Sequence, residues 1–290
     1  RRRGPWGHHC WARSRRGVRQ REWYPRAGQL CLIRPRPVQS RDWLLRLLRG
    51  YWGLSCRAGP PVLAVIFSHV PATLLLMVTS TILAVSIGAW VGVKSAVKRY
   101  SLFDDVATMA SMIALSIPTF WFGLVAIYIF ALKLQWFPAG NMYTVGDGSF
   151  TDVLHHLVLP VMVLTFVDVA VWSRYMRSAT LETINQDFVK TARAKGLSPR
   201  RVLLRHVVGN ALLPMIALAG MQLPMILGGA LVAETVFTWP GMGRLFLDSL
   251  GYSDYPVVMG LLMFSAMMVL IGNLAADVIT ALVDPRIRPA

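Results

Sequence analysis

Acidic side chains are scarce in this chain, and so is charge altogether. Its 290 residues hold 14 Asp and Glu against 30 Lys and Arg, and only 15% are charged while 55% are hydrophobic, with a mean hydropathy of +0.50. A soluble domain of this length seldom spares so little charge, whereas a chain that crosses a membrane several times needs that balance. Cysteine is almost missing. Cys10, Cys31 and Cys56 are odd in number, confined to the N-terminal fifth and without C-x-x-C or Cys/His spacing, so neither a disulfide framework nor a zinc site is supported. GxSxG, HExxH and GxxxxGK[ST] are absent as well, which leaves no nucleophile-and-base constellation and no nucleotide site of the chain's own. The adjacent pairs His8-His9 and His155-His156 read as loop residues, because sequence neighbours on a helix point different ways.

The positive balance, +16 in net charge, raises nucleic acid as a partner, and its distribution argues against one. Of the 30 basic residues, 15 lie in Arg1–Arg57, and most of the others occupy short segments beside apolar runs. That is a membrane-topology signal rather than a nucleic-acid groove.

Five apolar stretches are long enough to cross a hydrocarbon layer of ~30 Å as helices: Ala72–Val93, Val106–Leu132, Leu157–Ser173, Ala211–Ala233 and Val257–Val283. The third is at the lower limit. Pro118 falls within the second, and Pro214 and Pro224 are expected to interrupt the fourth, just ahead of Gly228-Gly229. Prolines survive in membrane helices where neighbours satisfy the freed carbonyls, and small residues let helices approach, so both stretches belong inside a bundle. The expected fold is all-α: a polytopic membrane helix bundle over 57–290 in a lipid bilayer, preceded by a basic segment, 1–56.

Charge orients the bundle. The segments Lys94–Asp105, Arg174–His206 and the tail after Val283 hold 3, 8 and 2 basic residues, thirteen together, whereas Lys133–His156 and Glu234–Pro256 hold one each. The side with thirteen is cytoplasmic, and the C-terminus with it. The start does not fit, because five spans place Arg1–Val70 outside although it is the most basic part. A further span ahead of about Leu32 is therefore expected, with Arg1–Gln29 outside the fold. Asp42–Arg49 (DWLLRLLR) carries Trp43, Leu44, Leu47 and Leu48 on one helical face, which suits either a helix lying in the membrane interface or a buried packing helix. Asp168 and Asp277 lie within or at the ends of spans, where carboxylates are costly; with no intramembrane partner visible, a structural role at the cytoplasmic ends is the simpler reading.

The most informative segment is Arg174–His206, whose eight Lys and Arg face only Glu182 and Asp187. Phe188–Lys195 favours a helix with Phe188, Ala192 and Thr191 on one face and Lys190, Arg193 and Lys195 around it. Gly196 supplies its stop, and Ser198-Pro199 opens a second helix as N-cap and first residue. Two short helices thus flank a tight turn, and the small Ala192 and Ala194 among charges suggest that another surface docks there.

The segment TARAKGLSPRRVLLRHVVGNALLP resembles the cytoplasmic coupling loop of binding-protein-dependent ABC importer permeases of the dipeptide/oligopeptide/nickel class. HVPAT at 69–73, IPTFW at 117–121, WFPAG at 136–140, AETVFTWPGMG at 233–243, DYP at 254–256 and DPRIR at 284–288 follow in the family's order. Two features depart from the pattern: basic Lys190 stands near the acidic opening of the general coupling signature, as is usual in the peptide class, and the family's first span is unrecognisable before about Leu32. The resemblance implies a type I ABC importer transmembrane domain in the plasma membrane, a subunit carrying peptides or similarly handled solutes. It implies a second, similar permease, two cytoplasmic ATPases that bind the ATP and Mg, and an external solute-binding protein, with no cofactor in this chain. Contact with the ATPase would fall on Phe188, Thr191, Ala192, Arg193, Ala194, Lys195, Gly196 and Leu197; Pro214, Gln222 and Pro224 would line the path. The rival reading is an ion-gradient-driven carrier, which ordinarily shows internal repeats and midplane charges.

Overall fold

The computed structural model describes residues 52–55, 59–228 and 230–283, and among these the side chains at 217, 223–228 and 279–283 are not described. Arg1–Gln29, the helix expected at Asp42–Arg49, the three cysteines, His8-His9 and the DPRIR segment lie outside the described residues. Regular structure among the described residues is helical: α1 (Val62–Val97), α2 (Leu102–Ser116), α3 (Thr119–Ala126), α4 (Phe150–Ile184), α5 (Asp187–Ala194), α6 (Pro199–Arg201), α7 (Gly209–Gly228), α8 (Leu231–Val236), α9 (Met242–Gly251) and α10 (Tyr255–Val283). Wider π-helical turns, Ile127–Lys133 and Val202–Val208, extend α3 and join α6 to α7.

Four helical stretches are long and apolar enough to cross a membrane: Val62–Val97, Phe150–Ile184, Pro199–Gln222 and Tyr255–Val278. The helices outrun the apolar windows that mark them in sequence. The third stretch, short at Leu157–Ser173, belongs to a 35-residue helix, because polar residues beyond the hydrocarbon continue a helix as readily as apolar ones begin it. Arg174–Ile184 is consequently helix rather than loop, and His155 and His156 sit in the first turns of α4. The second stretch is bent by 100° between Leu102–Ser116 and Thr119–Lys133. Ile117 has φ −86° and ψ 125°, the extended backbone that a following proline imposes, and Pro118 has no N–H to continue the ladder. In the fourth stretch α7 runs through both Pro214 and Pro224 without a break and stops at Gly228.

The chain divides into two compact units: Arg1–Val70 with Leu245–Phe264, and Pro71–Arg244 with Ser265–Ala290. In the first, Val62 N–H donates to the Gly53 carbonyl (3.0 Å), Ser55 Oγ donates to Asp254 Oδ2 (2.5 Å), and the Phe67 and Phe264 rings meet edge-on. In the second, α1 and α4 pack at close range through Gly88 and Gly92. A Cβ on Gly88 would stand 2.6 Å from Trp172 Cβ, and one on Gly92 would stand 2.5 Å from the Ser173 carbonyl. Spaced four apart, these glycines form the small-residue seam by which membrane helices pack. Around it Ala84, Trp172, Met176, Ala211 and Met215 form a buried cluster, with α7 contributing the last two.

Candidate functional site

The basic segment is built on the end of α4. That helix stops at Asn185, and Gln186 in extended backbone opens α5. Gly196 follows with φ +77°, a left-handed conformation that glycine adopts without a Cβ penalty. Pro199 then takes the first position of α6, as expected, although the Ser198 side chain makes no capping hydrogen bond. The packing face differs from the expected one. Val189 and Ala192 are buried, clustered with Val202 and Val207 and flanked by Ile184, Leu197 and Leu203. Ala192 is small where it fits against its own chain. Phe188, Thr191, Arg193, Ala194, Lys195 and Gly196 are exposed, and Leu197 is half-buried. Phe188 shows 42% of its surface to solvent. Lys190 Nζ lies 2.8 Å from Asp187 Oδ1, and this contact holds the exposed Asp187 carboxyl below its ordinary pKa. Such an exposed pair contributes little stability.

The other site candidates are scattered. Pro214 is exposed on α7, Gln222 is half-buried, and the Pro224 side chain is not described. Asp277 is exposed near the end of α10. Asp168 is half-buried near the middle of α4, not towards its end, because that helix continues well past Ser173. Among the described residues no group of three His, Cys, Asp or Glu side chains could hold a metal ion.

Two buried polar centres were not legible from residue type and spacing. Glu234 on α8 is fully buried. Its Oε1 accepts from Thr73 Oγ1 (2.8 Å) and its Oε2 accepts the backbone N–H groups of Gly243 (2.7 Å) and Arg244 (3.1 Å). Thr73 Oγ1 accepts the Met242 N–H in turn (2.8 Å). The carboxylate therefore caps the start of α9, where free N–H groups and the helix dipole favour negative charge. Nearby, Trp239 Nε1 donates to the Ala72 carbonyl (2.8 Å). Gly140 lies so close to Thr238 that a Cβ would stand 2.5 Å from its hydroxyl, and Asn141 N–H donates to the Phe237 carbonyl (2.9 Å). The segments HVPAT, WFPAG and AETVFTWPGMG, far apart in sequence, thus share one knot.

The second centre is Asp104. Arg177 grips it with two hydrogen bonds, Nε to Oδ1 at 2.7 Å and a terminal nitrogen to Oδ2 at 2.8 Å, while Ser95 Oγ and Tyr100 N–H also donate to it. The pair ties the end of α1, the start of α2 and α4 together beside the basic segment. Removing Arg177 leaves the Asp104 carboxylate buried without its strongest partner, whereas the Arg177 side chain keeps 31% of its surface exposed, so losing Asp104 costs less than breaking a fully buried pair.

Residues 84–289 match the family described as the binding-protein-dependent transport system inner membrane component. The chain belongs to this family. Among relatives, the oligopeptide transport system permease protein AppB of Bacillus subtilis is 47% identical over 256 residues, 88% of this chain and 81% of its own. The di/tripeptide transport system permease protein DppB of Pseudomonas aeruginosa is 37% identical, covering 90% and 83%. The dipeptide transport system permease protein DppB of Escherichia coli K12 is 35% identical, covering 90% and 84%. The MetNI methionine ABC transporter in an inward-facing conformation shares the fold, with a TM-score of 0.61 at 20% identity over 77% of this chain and 97% of that one. Membership settles the choice between an importer permease and an ion-gradient-driven carrier in favour of the permease, and the all-α type I importer fold agrees with the expectation from sequence.

Proposed function

We propose that this permease forms, with a second and similar permease, the path of an ATP-driven importer for peptides, and that α5 with the Gly196 turn is the contact through which two cytoplasmic ATPases drive it. The names of its relatives support the peptide substrate. The observation that carries the coupling role is the two-faced build of α5: Val189 and Ala192 anchor it to the Val202–Val208 segment, while Phe188, Thr191, Ala194 and Lys195 stand outward. A push on the outer face is then delivered to Pro199–Gln222, one of the membrane-crossing helices. Closing of the ATPases on ATP and Mg would bias the permease pair between inward- and outward-facing states, which is the physical form coupling takes. The chain hydrolyses no ATP itself in this reading, an external binding protein delivers the peptide, and the C-terminus is cytoplasmic.

The test is reconstitution with the partner permease, both ATPases and the binding protein, reading ATP-dependent uptake of labelled di- to pentapeptides together with ATP hydrolysis. Phe188→Asp and Ala194→Trp alter the outer face and are expected to lower uptake at least tenfold while the permease pair still assembles. Uptake that stays coupled to hydrolysis in both variants would remove the coupling role from α5, and uptake of other solutes with peptides ignored would remove the substrate.

A further inference from the structure

Two clefts adjoin on the basic side of the bundle, and neither belongs to the outer face of α5. One, of about 390 Å³, runs between the last turns of α1 and the Val202–Val208 segment with the start of α7, and is walled by Trp90, Val93, Leu203, Leu204, Val208 and Leu212, with Lys94 and Lys98 at its edge. The other, of about 410 Å³, is lined by Ser198, Arg200, Arg201, Leu204 and Arg205. Leu204 is common to both, so an apolar trough opens onto a cluster of cations. Lys94 Nζ is held over two rings, 4.7 Å from the Trp90 centroid and 4.3 Å from that of Phe103. Among the described residues no carboxylate pairs with Lys94, Lys98, Arg200, Arg201 or Arg205. Five cations gathered without a counter-ion repel one another and attract an anion.

We propose that this pair of clefts binds an anionic phospholipid of the cytoplasmic leaflet, its phosphate between Lys94, Lys98, Arg201 and Arg205 and the start of an acyl chain in the trough along Val93, Leu204 and Val208. The chemistry selects this occupant. A soluble anion has no use for an apolar wall between two membrane-crossing helices, and a neutral lipid has no use for the cations. Basic pockets between spans on the cytoplasmic side are where anionic head groups are recognised. The amphipathic Trp90 and Lys94 are residue types that settle at that level of the bilayer, with polar ends towards the head groups. Because the trough joins α1 to the segment that carries α5, the lipid braces the joint through which α5 would act. The proposal rests on the cytoplasmic placement of this face and not on the identity of the transported solute.

The complete transporter in nanodiscs is to be exposed to a photoactivatable phosphatidylglycerol, and separately to phosphatidylcholine carrying the same photoactivatable chain. The labelled peptides are then mapped by mass spectrometry. Labelling by phosphatidylglycerol is expected within 89–98 and 201–212, at least fivefold above phosphatidylcholine. Lys98→Gln with Arg205→Gln, both at exposed positions, is expected to lower it about twentyfold at unchanged assembly, given roughly a fivefold loss per basic residue. Equal labelling by the two probes, or labelling that ignores the double variant, overturns the proposal. Labelling that appears only when the ATPases are left out also overturns it, because a protein surface then covers the face. Peptide uptake is read separately, so a complex that binds the lipid and carries no peptide sinks the proposed function alone.

Discussion

At the scale of single residues, a few buried polar side chains fix what the apolar ones leave free. Hydrophobic surfaces in a bilayer gain little by meeting one another, so packing shape and hydrogen bonds decide which helices pair. Glu234 shows this most clearly, since its carboxylate accepts from Thr73 at one oxygen and from the starting N–H groups of α9 at the other. Glu234→Ala orphans those donors and is expected to cost about 2–3 kcal/mol, on the penalty for buried unsatisfied groups. Glu234→Gln keeps an acceptor for Gly243 and Arg244 and turns its amide towards Thr73, so its cost is expected to stay below about 1 kcal/mol. Thermal unfolding of the purified transporter, followed by light scattering and tryptophan emission, compares the two. Equal losses would mean that the charge at the α9 start, rather than the hydrogen-bond geometry, does the holding. The carboxylate also explains two of its neighbours. A Cβ on Gly241 would fall on it, and one on Gly243 would stand 2.5 Å from Leu231 Cα, so the glycines of TWPGMG make room for the acid and for the start of α8 beside it.

At the scale of elements, close approach of helices is set where side chains vanish. Gly92→Leu drives a side chain into the α4 backbone at Ser173 and is expected to abolish a monodisperse complex, because packed interfaces absorb added volume poorly. Gly209→Ala makes the opposite case: nothing lies within 4 Å of its missing Cβ, and alanine in a helix interior is favoured by up to ~1 kcal/mol. Size-exclusion profiles and melting temperatures of the two variants side by side test the assignment, and a well-behaved Gly92→Leu protein would contradict the α1–α4 contact. This element was legible in advance, as G-A-W-V-G spells the four-residue spacing, but hydropathy draws attention to length and not to small residues. Apolar windows found the spans and missed their ends, since hydrocarbon thickness limits the apolar part of a helix and not the helix itself. The bend at Ile117-Pro118 was visible as a proline; its 100° amplitude depends on tertiary contacts. Periodicity placed α5 and its glycine stop correctly, with Phe188, Ala192 and Thr191 together on one face. That Val189 and Ala192 fit against Val202 and Val207 was not legible, because those partners belong to the following helical segment. The Glu234 and Asp104 centres escaped because each joins a side chain far away in sequence, Thr73 for Glu234 and Arg177 for Asp104, and only the motif resemblance marked two of the segments involved.

At the scale of the whole molecule, the bent pair α2–α3 decides whether the described residues cross the bilayer four times or five. If the pair is one broken span, the basic residues of these segments divide as thirteen against two. If it is re-entrant, Lys94–Asp105 and Lys133–His156 share a side, and the division becomes ten against five. The first split is far more lopsided, and short loops obey the positive-inside bias closely, so a crossing is expected. The two arrangements differ in whether Arg99 and Gly146 share a side; both are exposed, one before the pair and one after it, and Ser198 in the basic segment is the reference. With Cys10, Cys31 and Cys56 replaced, single cysteines at these positions are to be treated with a membrane-impermeant maleimide in intact cells and in inverted vesicles. Position 146 is expected to react in cells, and positions 99 and 198 only in inverted vesicles. Reaction of 99 and 146 on the same side would make α2–α3 re-entrant. Reaction of 198 in intact cells would invert the whole topology, and with it the placement of α5 and of the basic clefts on the side where ATP is found.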